Sequence, residues 1–134
     1  MTRILLVEDN EMNRDMLSRR LARRGYDVVL AVDGEQAVTL ARLGRPDLVL
    51  MDMDLPIKDG WSAAREIRHG SENANVPIIA LTAHAMSDDR ARAMAAGCND
   101  YETKPLDFAR LIAKIESLLG NSDCGAAPWL CRNG

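Results

Sequence analysis

A chain of 134 residues, 47% hydrophobic and 28% charged, has room for one domain with a sizeable core and not comfortably for two. A net charge of −3 gives no general attraction to nucleic acid or an anionic membrane, and no apolar run is long enough to span a bilayer. The opening M-T-R-I-L-L-V-E-D-N meets charge at Glu8 before any signal-peptide core could form, so the expected location is the cytoplasm.

Apolar runs and helical patterns alternate along the chain. R-I-L-L-V (Arg3 to Val7) reads as a buried strand. Glu11 to Arg24 reads as a helix with Met12, Met16, Leu17 and Leu21 at helical spacing, stopped by Gly25. Tyr26 to Ala31 is a second strand. Asp33, with Gln36 three residues on, has the pattern of a capping box opening a helix to about Leu43. Asp47 to Asp52 makes a third strand, and after D-M-D-L-P-I-K-D-G a helix runs from Trp61 to about His69. Val76 to Thr82 is the fourth strand, Ser87 to Ala96 a short helix, and Asn99 to Thr103 a polar fifth strand. In the last helix Phe108, Leu111, Ile112, Ile115, Leu118 and Leu119 trace one face. A domain of residues 1–120 is thus expected, followed by a flexible tail, 121–134, without helical or strand period. Cys98 and the tail residues Cys124 and Cys131 match no zinc spacing and read as free thiols; Trp129 is the tail's one aromatic.

Five strands alternating with five helices predict an α/β fold, a doubly wound five-stranded parallel sheet in the order 2-1-3-4-5. Such an order has a switch point between the first and third strands, where ligands bind beyond the strands' carboxyl ends. The residues at those ends are Glu8 and Asp9, then Asp52 with Asp54 two residues on, then Thr82, then Lys104 before Pro105. Acids this close ionise together only with a cation among them. Oxygen ligands without His or Cys suit a hard divalent ion, Mg²⁺, with Mn²⁺ as a substitute. Lys104 and Thr82 suit phosphoryl oxygens, and an aspartate that attacks phosphorus forms an acyl phosphate. The chemistry points to Asp52 as the phosphoryl acceptor.

V-E-D-N at Val7 to Asn10, L-M-D-M-D-L-P at Leu50 to Pro56, L-T-A at Leu81 to Ala83 and Y-E-T-K-P at Tyr101 to Pro105 stand in a specific order. In that order the sequence resembles the response-regulator receiver domain of two-component signalling, with the flavodoxin-like fold of CheY, over residues 3–120. The resemblance implies that Asp52 takes its phosphoryl group from a sensor histidine kinase or histidine phosphotransfer protein. It implies that Asp9 and Asp52 hold Mg²⁺, with the backbone carbonyl of Asp54 as a further ligand and Glu8 acting through water. Lys104 pairs with the phosphate, and the Lys104–Pro105 peptide is expected to be cis. Thr82 and Tyr101 are the switch residues, biasing a surface built from the fourth helix, fifth strand and fifth helix, through which a homodimer could also form. Asp54 and His84 flank the position of the attacking water, and we expect them to tune the phosphoryl lifetime.

Arg14, Arg19, Arg20, Arg23 and Arg24 crowd the first helix. They read as a solvated face or, by the resemblance, as an electrostatic aid to the phosphodonor, with Met12 and Met16 as core filler or docking surface and Met12, nearer the site, the better docking candidate. The chain reads as a stand-alone receiver whose signal leaves through protein contacts and whose only catalysis is its own phosphorylation and dephosphorylation. The sequence does not name its kinase or target. One alternative is a haloacid-dehalogenase-like phosphohydrolase using Asp52 and Asp54, but there the metal-binding acids follow the nucleophile strand, whereas Glu8 and Asp9 precede it. Another is a phosphate-independent binding module, against which Asp9, Asp52, Thr82 and Lys104 all speak.

Overall fold

The computed structural model describes residues 2–53, 55, 57–70, 73–83, 91–92 and 94–119. They form two compact units, the first ending at Thr103 and the second beginning at Lys104.

The first unit is built on five parallel strands: β1 (Arg3–Val7), β2 (Asp27–Ala31), β3 (Leu48–Asp52), β4 (Ile78–Thr82) and β5 (Asp100–Thr103), in the order β2-β1-β3-β4-β5. That is the order expected from the alternating pattern and right-handed crossovers. β1, β3 and β4 are inner strands, and every residue of β3 and β4 is buried. This explains why they read as continuous apolar runs, not alternating ones. β4 is shorter at its start than the apolar run suggested. Pro77, with no N–H, precedes the ladder and contributes only its carbonyl, which accepts from the Val49 N–H at 2.8 Å.

Helices α1 (Glu11–Arg23), α2 (Gly34–Leu43) and α3 (Gly60–His69) belong to this unit. Each begins at a side-chain cap. Asn10 accepts from the Asn13 N–H, Asp33 from Gln36 and Asp59 from Ser62. The capping-box expectation at Asp33 needs one adjustment. Gln36 reaches back past the cap residue, and its Oε1 accepts from the Val32 N–H at 3.1 Å. On α1, only Leu17 and Leu21 of the four residues at helical spacing are buried; Met12 is 82% exposed and Met16 44%. Both methionines are therefore surface residues of this chain.

One sheet face supplies Leu5, Val7, Val49, Met51, Ile78 and Ala80 to a core shared with Ala37, Val38 and Ala41 of α2 and Trp61, Ala64 and Ile67 of α3. Burying each such large side chain contributes about 1.5–3 kcal/mol. The Arg92 guanidinium covers the Trp61 ring, 4.5 Å from its centroid. Most of the predicted fourth helix, Ser87 to Ala96, lies outside the described residues; Ala91, Arg92, Met94 and Ala95 within it are helical.

Arg68, in the last turn of α3, ties distant loops together. Its Nε donates to the Gly97 carbonyl at 2.8 Å, one terminal nitrogen to the Ala74 and Val76 carbonyls at 2.7 and 2.6 Å, and the other to Asn99 Oδ1 at 2.8 Å. Burial pulls the Arg68 guanidinium below the ordinary arginine value, and charge on the neighbouring Cys98 thiol would act the other way. Gly97 has φ +102°, and a Cβ there would lie 2.6 Å from Arg68 Cγ, so both backbone and space call for glycine.

In the second unit the Lys104–Pro105 peptide is cis. Helix α4 (Phe108–Leu119) follows, with Leu111, Ile112 and Ile115 buried along one side. Asp107 caps it, its Oδ1 accepting from the Arg110 N–H at 3.2 Å. Among the described residues no helix is long and apolar enough to cross a membrane.

Candidate phosphoacceptor site

Strand register brings the acids together. Val7 of β1 pairs with Met51 of β3, so the next residue on each strand, Glu8 and Asp52, reaches the same level at the carboxyl edge of adjacent strands. The chain after β1 leaves toward β2 and the chain after β3 toward β4, which opens the switch-point crevice between them. Carboxylate oxygens of Glu8, Asp9 and Asp52 all lie within 4.8 Å of one another. Glu8 and Asp52 are each only 1% exposed, while Asp9 faces solvent.

Short-range bonds fix these groups. The Glu8 N–H donates to the Ala31 carbonyl at 3.1 Å, extending the β1–β2 ladder one residue past the strand. The Asn10 N–H donates to Glu8 Oε2 at 3.3 Å, turning that side chain against the start of α1. From α1, Arg14 donates to the carbonyls of Glu8 at 3.1 Å and Asp9 at 3.4 Å, so one arginine of the basic helix supports the acidic turn. Arg19 pairs instead with Asp15 one turn away.

Beyond β3, the Met53 N–H donates to the Leu81 carbonyl at 2.9 Å, and the Gly60 N–H returns to the Met53 carbonyl at 3.1 Å. The first residue of α3 is thereby stitched to the strand end that carries Asp52. A Cβ on Gly60 would stand 2.5 Å from the Asp52 carbonyl oxygen and 2.7 Å from Met53 Cα. Gly60 is thus a site-shaping residue that sequence reasoning treated only as part of a turn. The D-G signal was visible, but the backbone it must clear was not.

Thr82, 1% exposed, follows Leu81, the β4 partner of Asp52. Tyr101 pairs with Ala80 and Thr103 with Thr82, so alternation puts Thr82 and Tyr101 on one sheet face, on neighbouring strands. Tyr101 is partly buried against the core. Lys104 directly follows β5, as the first residue of the second unit. Asp54, His84, Cys124, Trp129 and Cys131 lie outside the described residues. Cys98 is a free, buried thiol that burial pushes up to about 11, with Arg68 opposing the shift.

An all-oxygen donor set at this spacing, two of its members buried, suits a hard divalent cation and not zinc or a soft metal. The chain belongs to the response regulator receiver domain family, which it matches over residues 4–116. Among solved structures, it superimposes with a TM-score of 0.83 on the receiver domain of sensor histidine kinase PA1611 from Pseudomonas aeruginosa, described with a magnesium ion coordinated in its active-site cleft. That match has 46% identity and covers 90% of this chain and 98% of the other. The polar-differentiation response regulator DivK of Brucella anthropi is 37% identical over 89% of this chain and 97% of DivK. The receiver domain of Ssk1 from Saccharomyces cerevisiae, solved with the histidine phosphotransfer protein Ypd1, matches with a TM-score of 0.78 and 35% identity, covering 85% and 86% of the two chains. The chain spans about half the length (51%) of a further relative, the DNA-binding regulator RpaA of Synechocystis, at 36% identity over 92% of this chain. The module is thus a phosphoryl-accepting response-regulator receiver, and the phosphohydrolase reading is not favoured.

Proposed function

We propose that Asp52 is the phosphoryl acceptor and that Glu8, Asp9 and Asp52 hold a divalent cation, Mg²⁺ first. The observation that carries the reading is the convergence of three carboxylates within 4.8 Å at the switch point, with Asp52 buried at the end of β3. When bound, the cation would neutralise charge on the acids and on the incoming phosphoryl oxygens. A carboxylate oxygen of Asp52 attacks phosphorus, the P–N bond to the donor imidazole breaks, and its electron pair stays on nitrogen. Thr82 donates its hydroxyl hydrogen to a phosphoryl oxygen, and Lys104 supplies a positive charge for another. Asp54 contributes its backbone carbonyl to the cation, and Asp54 and His84 tune hydrolysis of the acyl phosphate.

The donor is a phosphohistidine on a kinase or phosphotransfer protein, in line with the company the Ssk1 receiver keeps. On α1, beside Glu8 and Asp9, an open cavity of about 330 Å³ is lined by Glu11, Met12, Arg14, Asp15, Ser18 and Leu30. With Met12 almost wholly exposed, this face is the docking surface we assign to that donor. Output proceeds through Thr82 and Tyr101 to a changed protein-binding surface, and the chain catalyses no reaction beyond its own phosphorylation and dephosphorylation.

The test is intact-protein mass spectrometry after incubation with acetyl phosphate and Mg²⁺. One phosphoryl adduct is expected, absent without the metal and absent in Asp52→Asn. An adduct that survives in Asp52→Asn would overturn the assignment.

A further inference from the structure

Ile57, ahead of α3, holds a backbone conformation its side chain does not favour. Ile57 has φ +67° and is 81% exposed. For a β-branched residue this backbone region is strained and persists only when the surroundings impose it. Asn73 adopts a similar φ of +57°, but asparagine tolerates that region and its side chain donates to the Ala41 and Pro46 carbonyls. Ile57 has no polar side chain with which to do the same.

The next residue, Lys58, is tightly held. The side chain of Lys58 is only 19% exposed; its ammonium donates to Glu66 of α3 and lies 3.5 Å from Glu35 of α2. The Lys58 backbone is equally confined, because a Cβ on Gly34 at the start of α2 would overlap the Lys58 carbonyl oxygen and come within 2.7 Å of its carbon. Lys58 is thus fastened by side chain and backbone to the first turn of α2 and by its side chain to Glu66, in the second half of α3. Gly60, two residues on, is bonded to Met53 and packed against Asp52.

We infer that Lys58 is a positioning residue for the phosphoacceptor site: its pairing with Glu66 and Glu35 holds Ile57 at positive φ and so sets the path into Gly60, which packs against Asp52. The consequence for the cation rests on the proposed reading of Glu8, Asp9 and Asp52. Positioning and simple electrostatics predict opposite signs. Removing a positive charge from the protein should, if anything, tighten Mg²⁺ binding if charge alone matters, whereas releasing the backbone that packs on Asp52 should weaken it.

Four proteins decide the matter: wild type, Lys58→Ala, Ile57→Gly and the double variant. Amide hydrogen exchange at Gly60 is measured without metal, and Mg²⁺ affinity by calorimetry. Lys58→Ala is expected to speed Gly60 exchange at least tenfold and weaken Mg²⁺ binding at least fivefold. In the double variant both return to within about twofold of wild type, because glycine adopts positive φ without the clamp. Unchanged exchange in Lys58→Ala, tighter Mg²⁺ binding, or a double variant no better than the single would overturn the inference. If exchange responds as expected but the wild type takes up no Mg²⁺, the cation reading fails and the clamp on the loop stands.

Discussion

The N-terminal end of α3 packs against the backbone of Asp52, beside three carboxylates gathered within 4.8 Å, whereas its C-terminal end carries the guanidinium of Arg68. At the Arg68 end the chain answers its own charge: three carbonyls and an asparagine oxygen meet the guanidinium at 2.6–2.8 Å. At the Asp52 end the three carboxylates make a donor set that would suit a hard divalent cation. The same helix therefore ends in a structural fastener on one side and a chemical site on the other.

The comparison breaks first at Arg68. Arg68→Ala strips a donor from the Gly97, Ala74 and Val76 carbonyls, and urea unfolding is expected to show a loss of about 3 kcal/mol. Folded Arg68→Ala should still accept a phosphoryl group; a loss under about 1 kcal/mol would mean the fastener is ornamental.

Gly60→Ala is the next largest effect. Its methyl collides with the backbone of Asp52 and Met53, costing about 1–3 kcal/mol as overpacking. Unlike Arg68→Ala, it should also slow phosphorylation, because what must move is the strand end that carries Asp52, the proposed acceptor. Equal phosphorylation rates in the two variants would erase the distinction between the ends of the helix.

The smallest effect is a pH slope at Cys98, beside the fastener. The folded protein holds the thiol proton up to about pH 11, against a reference value of 9.0, so between those values the unfolded chain binds fewer protons than the native one. Stability contributed by the neutral thiol is complete below about pH 9 and falls, by on the order of 2 kcal/mol, as pH rises to 11. Cys98→Ala should flatten that part of the curve, and identical slopes in the two proteins would contradict a buried, neutral Cys98.

The sheet order and the acids were legible because both are local signals. β3 and β4 are apolar runs with no break, and Glu8, Asp9, Asp52 and Thr82 stand at the last position of a run or just after it. The family resemblance supplied what local signals do not, above all the switch role expected of Tyr101. Arg68 was invisible for the opposite reason: within E-I-R-H it looks like an ordinary solvated base near a helix end, and its partner Gly97 lies 29 residues away. Lys58 and Gly34 escaped in the same way, since their contact exists only after α2 and α3 lie side by side. Met12 and Met16 were ambiguous because i, i+4 spacing locates a helix face without saying how wide the buried stripe is.

Trp61 sits one residue beyond Gly60, with the charge of Arg92 resting on its ring. An indole's emission follows the electric field across it, so this ring is a built-in optical gauge whose colour reports whether Arg92 stays in place. With Trp129→Phe removing the chain's other indole, the light from a single residue would report the state of that contact, with no label attached.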